Sequence, residues 1–141
     1  MNALSTAYSK KSEKTLKAAQ LLYEHDFLEE SIALTYYAMY HKATALLRQA
    51  NIISKSHTTT IHTLSLFGVN STPIKHAKRE RIDKQYYVDA KVVRKEAREL
   101  LEQARTFIGE IDLMMDSLTQ EQLASIHNTH INEESIRSQS K

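Results

Sequence analysis

Residues 31 to 47, Ser-Ile-Ala-Leu-Thr-Tyr-Tyr-Ala-Met-Tyr-His-Lys-Ala-Thr-Ala-Leu-Leu, constrain this chain more than any other stretch. No glycine or proline interrupts them, and their apolar residues recur at helical spacing. Ile32, Tyr36, Met39, Ala43 and Leu46 step by four and three, which sets them on one stripe. Ala33, Tyr37, Tyr40, Thr44 and Leu47 form a second stripe beside it. A helix apolar over so much of its circumference is expected at the centre of a domain rather than at its edge. Its phenols and its imidazole, His41, then need hydrogen-bond partners inside the protein, at an interface or in a ligand cleft.

The rest of the composition points the same way. Two glycines and one proline in 141 residues leave little material for turns, so a few long helices with short connections are expected. That length suits one domain with a substantial core. With no cysteine there is neither a disulfide framework nor a thiolate metal site. A reducing compartment agrees with this. No basic stretch leads into an apolar one at the N-terminus, and no apolar run approaches the length of a membrane span. A soluble, cytoplasmic protein without membrane contact is therefore expected. The formal charge of +2 is too small to mark a nucleic-acid binder, which only a local concentration of charge would support.

Periodicity predicts a first helix from about Thr6 to Tyr23, with Tyr8, Thr15, Ala19 and Leu22 on its inner side and lysines opposite. A corner at His25 to Phe27 leads into the second helix, which fades near Asn51. After a polar stretch, Ile61, Leu64 and Phe67 predict a short helix ending at Gly68, and Asn70 to Pro73 forms a loop. A charged run, Lys75 to Lys84, follows. Asp89 is placed as the cap of the longest helix, whose stripe is Ala90, Val93, Ala97, Leu100, Ala104, Phe107 and Ile111. Thr119-Gln-Glu-Gln122 has the form of a capping box opening a fifth, short helix. From about Asn128 the polar composition predicts a frayed or disordered tail. The expected division is a helical bundle over residues 1–118 and a short helix with a polar tail over 119–141, and the fold class is all-α, an up-and-down antiparallel bundle of four to five helices.

Several of these residues together resemble a known family. Ser31, then Tyr36-Tyr37-Ala38-Met39-Tyr40-His41, Ala45-Leu46-Leu47, and His57 after a short polar loop, are similar to the HEPN domain. More narrowly they resemble the small stand-alone HEPN proteins of bacteria and archaea. In those, a sequence like Ala-Tyr-Tyr-Ala-Met-Phe-His occupies the second helix and a Thr-His-Ser segment opens the third. The resemblance covers roughly residues 5 to 115. It implies a bundle of four or five helices that dimerises, often a metal-independent endoribonuclease, and in some cases a toxin encoded beside a small nucleotidyltransferase that restrains it.

In active members an arginine is followed four to six residues later by a histidine, and the pair faces its copy across the dimer. Arg81 is the best match for that arginine, but Tyr86 stands five residues on, and Arg79 gives no better frame. No histidine occurs between Arg81 and His127. Ile82 takes the place after the arginine, where the family often has a polar residue. The resemblance thus implies a catalytic set of Arg81, Tyr86 and His57, with a degenerate motif and weakened activity. Cleavage of RNA by its own 2′-hydroxyl needs groups that accept and return a proton, and histidine, with a reference pKa of about 6.5, suits both tasks. Tyrosine, near 10, is only about one part in a thousand ionised at neutral pH. Loss of one well-placed acid–base group costs about 10²–10⁴ in rate.

The basic run supplies the local charge that the whole chain lacks. Lys78, Arg79 and Lys84, with Tyr87 adjacent, would pair cations with phosphates and a ring with unstacked bases. The simpler alternative is a solvated helix face. Tyr37, Tyr40 and His41 are assigned to a cleft or interface, against the alternative of aromatic core packing. His127 and His130 with Glu133 have metal-like spacing, but the tail offers little to fix their geometry, so no metal and no other cofactor are expected. RNA, a nucleotidyltransferase antitoxin and a second copy of the chain are the expected partners. A non-catalytic module that binds a nucleotidyltransferase, or is adenylylated by it at Tyr86 or Tyr87, is the competing expectation.

Overall fold

The computed structural model describes residues 2–88 and 91–139. Among these residues there are six α-helices and one 3-10 turn, in the order α1 (Ala3–Glu24), α2 (Leu28–Gln49), α3 (His57–Thr63), the 3-10 turn (Leu64–Phe67), α4 (Thr72–Tyr86), α5 (Arg94–Ser117) and α6 (Gln120–Gln139). The expected all-α bundle is what forms. Helix α2 is its axis, packed against α1, α3, α4 and α5. Ile32, Tyr36, Met39, Ala43 and Leu46 are all buried in the core, as are Ala97, Leu100, Ala104, Phe107 and Ile111 of α5. No helix among the described residues is long and apolar enough to cross a membrane.

Helices α1 and α2 and the 3-10 turn stop where the backbone turns left-handed. Asp26, Asn51 and Gly68 have φ of 67°, 57° and 74°. At each, the next amide reaches back to close the helix end: Phe27 to Leu22, Ile52 to Leu47 and Val69 to Leu64. Asp and Asn are the side chains best suited to replace glycine there, which is how a chain with two glycines makes three sharp stops. At the opposite ends, Asn2 accepts a hydrogen bond from the Ser5 amide and Ser56 accepts one from the Thr59 amide.

The seam between α1 and α2 departs from the expected stripe. Tyr8, Thr15 and Leu22 are only partly buried, and the fully covered residues of α1 are Ser5, Ser12 and Ala19, seven apart. They meet Ala45, Ala38 and Ser31 of the antiparallel α2. Ser5 Oγ donates to the Ala45 carbonyl at 2.8 Å, Ser12 Oγ to Ala38 at 2.6 Å and Ser31 Oγ to Ala19 at 2.8 Å. Small side chains let the backbones approach, and each hydroxyl is satisfied by a carbonyl of the opposite helix. A buried cation completes the joint. Lys42, fully covered, donates to Ser9 Oγ and to Asp112 Oδ1, both at 2.6 Å, and so ties α1, α2 and α5 together.

Three further expectations change. The helix containing Lys75 to Lys84 opens at Thr72, inside the expected loop, with Pro73 in its first turn where a missing N–H costs nothing. The long helix begins at Arg94 with Val93 as its cap residue, later than its stripe suggested. The proposed cap Asp89 and the stripe's first residue, Ala90, lie outside the described residues. Finally, α6 runs on to Gln139, through the segment expected to fray. The capping box that opens it has both arms: the Thr119 amide donates to Gln122 Oε1 and the Gln122 amide to Thr119 Oγ1. Leu123 is buried, His127 Nδ1 lies 2.9 Å from the Ala50 carbonyl, and His130 pairs with Glu134 one turn on. A helix polar on most sides can persist through such anchors and i,i+4 pairs.

Candidate functional site

Where α2, α3 and α4 converge, one cation, three phenols and an imidazole form a cluster. The Arg81 guanidinium lies over the rings of Tyr36 and Tyr37, 5.2 and 5.3 Å from their centroids. Its Nη1 donates to Tyr37 Oη at 3.4 Å and to Gln85 Oε1 at 3.1 Å, and its Nε is buried with no partner among the described residues. Tyr36 Oη is 2.7 Å from His57 Nδ1. The His57 ring stacks on Tyr40 at 3.9 Å and stands edge-on to Tyr37. The position of His57 follows from the Ser56 cap, which starts α3 there and turns its first side chain toward the tyrosine face of α2. Lys78, one turn before Arg81 on α4, donates to Thr58 Oγ1 at 3.2 Å.

The surroundings set the protonation of these groups. Burial pushes the Tyr36 phenol well above its ordinary range; the Arg81 charge offsets this in part, while Tyr40 and Tyr37 add to it. The phenol therefore stays protonated. His57 is held below the usual histidine value, first by burial and then by the positive charges of Arg81 and Lys78. A protonated phenol and a neutral imidazole share one hydrogen bond, which has two tautomeric forms. When Nδ1–H donates to Tyr36 Oη, Nε2 carries a free lone pair and is a base. When the Tyr36 hydroxyl donates to Nδ1, Nε2–H is a donor. The cluster thus joins a fixed cation with a group that can take or give a proton.

His41, stacked on Tyr37 with 6.4 Å between centroids, is held down to about 4 by burial, then by Lys11 and His57, and its Nδ1 is buried with no partner among the described residues. In the unfolded chain His41 would protonate near 6.5. As pH falls from about 6.5 to 4 the unfolded state binds the proton first, so this stability contribution is complete above 6.5 and is lost through that window. The shift corresponds to about 3 kcal/mol. Urea unfolding of wild type and His41→Gln at pH 7 and pH 4.5 checks it: the variant is expected to lose less stability on acidification.

Of the residues named from sequence, Arg81, His57, Tyr37, Tyr40 and His41 come together, with Lys78 alongside. Tyr86 does not join them. It is the last residue of α4 and is 73% exposed, and Arg81 turns instead to Gln85. Five residues along an α-helix are roughly 140° apart around its axis, whereas the fourth lies almost overhead. Tyr87 is 60% exposed. Lys84 is engaged elsewhere, with the Lys91 carbonyl at 2.8 Å and Glu96 at 3.6 Å. Arg79 is exposed on the face of α4 that borders α3. Sequence reasoning took Tyr36 for core packing and so missed its contact with His57. Its place on the most buried stripe was the signal, because a covered phenol needs a polar neighbour. Among the described residues no three His, Asp or Glu side chains are grouped to hold a metal ion.

Comparison with known proteins agrees with the fold. The family model described as the HEPN domain matches residues 6–114. The chain is 31% identical over 107 residues to a Methanocaldococcus jannaschii protein named "Putative toxin MJ0605", covering 71% of this chain and 80% of that one. It is 41% identical over 58 residues to the UPF0332 protein glr0978 of Gloeobacter violaceus, and 40% identical over 60 residues to the UPF0332 protein PH1297 of Pyrococcus horikoshii. These two matches span 44% and 42% of the respective relatives.

Proposed function

Because the chain belongs to the HEPN domain family, we propose that it is an RNA-engaging component of a toxin–antitoxin or defence module, with weak endoribonuclease activity centred on Arg81 and His57. The observation that carries this is the convergence of the Arg81 guanidinium and the His57 imidazole on the same pair of tyrosines, Tyr36 and Tyr37. The similarity to a protein named as a toxin supports the biological setting.

In this mechanism Arg81 holds the scissile phosphate and balances the charge that builds on its oxygens. His57 accepts the proton of the ribose 2′-hydroxyl at Nε2 as that oxygen bonds to phosphorus. The bond from phosphorus to the 5′-oxygen breaks, and the proton passes to the departing oxygen. The products are a 2′,3′-cyclic phosphate and a 5′-hydroxyl. Tyr36 orients the imidazole through Nδ1. His57 thereby takes the duty that relatives assign to the histidine after the arginine, the place held here by exposed Tyr86. A homodimer that sets two such clusters beside one another would double the cationic charge facing the RNA. Incubation of purified protein with mixed single-stranded RNA in chelator tests the proposal beside Arg81→Ala. Cleavage or binding lost in the variant is expected, and equal inactivity of both samples removes the enzyme claim.

A second function has its own support. Tyr86 and Tyr87, 73% and 60% exposed at the end of α4, are open to a modifying enzyme, and a nucleotidyltransferase partner could adenylylate either phenol. Intact mass after co-expression with such a partner decides this. A gain of one adenylyl group per modified tyrosine supports it, and an unchanged mass opposes it.

A further inference from the structure

Beside the Arg81–His57 cluster, between α3 and α4, runs a groove of about 410 Å³ lined by Thr58, Ile61, His62, Lys75, Lys78, Arg79 and Ile82. Helical spacing on both walls produces it. Residues 58, 61 and 62 share one face of α3, and residues 75, 78, 79 and 82 share the facing side of α4. The floor is aliphatic, with Ile61 buried and Ile82 half-buried. The rim is cationic, and among the described residues no carboxylate lines it. Among the described residues none of Lys75, Lys78 or Arg79 is paired with an acidic side chain, unlike Lys84 further along α4.

We propose that this groove binds one unstacked nucleotide of a single-stranded RNA, next to the phosphate held at Arg81, with its base on Ile61 and Ile82 and its phosphates on Lys75, Lys78 and Arg79. The inference rests on the nuclease function proposed above and adds to it a seat for one base beside the cleaved phosphate. Charge complementarity calls for an anion, and the aliphatic floor calls for an apolar face on that anion. RNA supplies both from adjacent atoms. Lys78 makes the groove continuous with the cluster, because it touches Thr58, the neighbour of His57. A base enclosed here has left its stack, so a duplex does not fit.

The test uses the full chain and fluorescent RNA 12-mers (plain, carrying one abasic nucleotide beside the cleaved position, or in duplex) with wild type, Ile82→Trp and Arg79→Glu. Ile82→Trp fills the groove. Arg79→Glu changes an exposed side chain and leaves the core alone. Wild type is expected to bind the plain strand about tenfold more tightly than the abasic one, and Ile82→Trp to erase that difference. Arg79→Glu is expected to flatten the salt dependence of log affinity by about 0.7 for each phosphate that is no longer neutralised. A duplex bound and cut as well as the single strand overturns the inference, as does an abasic strand bound like the plain one. Displacement of RNA by hexaglutamate as readily as by an unlabelled 12-mer also overturns it, since charge alone would then explain binding. If RNA is cleaved in an Arg81-dependent way while the groove variants change nothing, the groove assignment fails and the nuclease function stands. If wild type neither binds nor cuts RNA, both fall.

Discussion

Exchange of His57 for alanine is expected to slow RNA cleavage by about 10²–10⁴, while the affinity for RNA changes little. In the proposed mechanism the imidazole handles the protons of the reaction, whereas Arg81, on a different helix, holds the phosphate. Single-turnover cleavage with protein in excess separates the two effects. The same experiment carries a pH signature. Burial, with the charges of Arg81 and Lys78, holds His57 below its ordinary value of about 6.5, so it is neutral at pH 7 and available as a base. Cleavage should therefore be sustained as pH falls to 6.5 and decline only below that, as the ring takes up a proton. Tyr36→Phe removes the hydroxyl that fixes the ring and leaves His57 in place. An intermediate loss of rate is expected, with the pH limb moved, whereas a purely structural role for Tyr36 would lower stability and leave the limb where it was.

The second large effect concerns stability. Asp112→Ala should cost about 3 kcal/mol and lower the melting temperature by roughly 10 °C. Lys42 is fully covered, and among the described residues its one carboxylate partner is Asp112, at 2.6 Å, while Asp112 itself is 46% exposed. Removing the acid leaves a covered charge whose remaining hydrogen-bond partner among the described residues is Ser9. Lys42→Met removes the charge and keeps most of the volume, so it is expected to fall within about 1 kcal/mol of wild type. Thermal unfolding of the two variants should therefore separate them clearly. Equal losses would mean that the Lys42–Asp112 pair itself stabilises the joint, and that stranding the cation adds nothing.

The lesson about legibility lies in which interactions leave a periodic trace. Ile32 to Leu46 and Ala97 to Ile111 announce buried helical faces through their spacing, and those faces form the core. The α1–α2 seam hid because Ser5 and Ser12 are polar letters acting as small spacers. Their buried state depends on carbonyls of a helix that sequence alone does not align with them. Lys42 hid for the same reason, since the acid that neutralises it is 70 residues away. Helix α6 was underestimated because composition weighs apolar content, whereas its hold comes from a capping box and a few anchors such as Leu123 and His127.

The site was half legible. The resemblance pointed to Arg81 and His57, and the bundle brings them to one cluster. It also pointed to Tyr86, which helical geometry turns away from Arg81. A substitution inside a motif is read most safely by asking where the helix aims the new side chain. In the proposed mechanism His57, at the start of α3, stands in its place, and the sequence order of the two residues is reversed.

Analysis of RNA product ends tests the central claim most directly. Wild-type protein acting on a defined single-stranded RNA in chelator should leave 2′,3′-cyclic phosphate and 5′-hydroxyl termini, and both should vanish together in Arg81→Ala and His57→Ala. Intact RNA with wild type, or cleavage by wild type and both variants at the same rate, would contradict it.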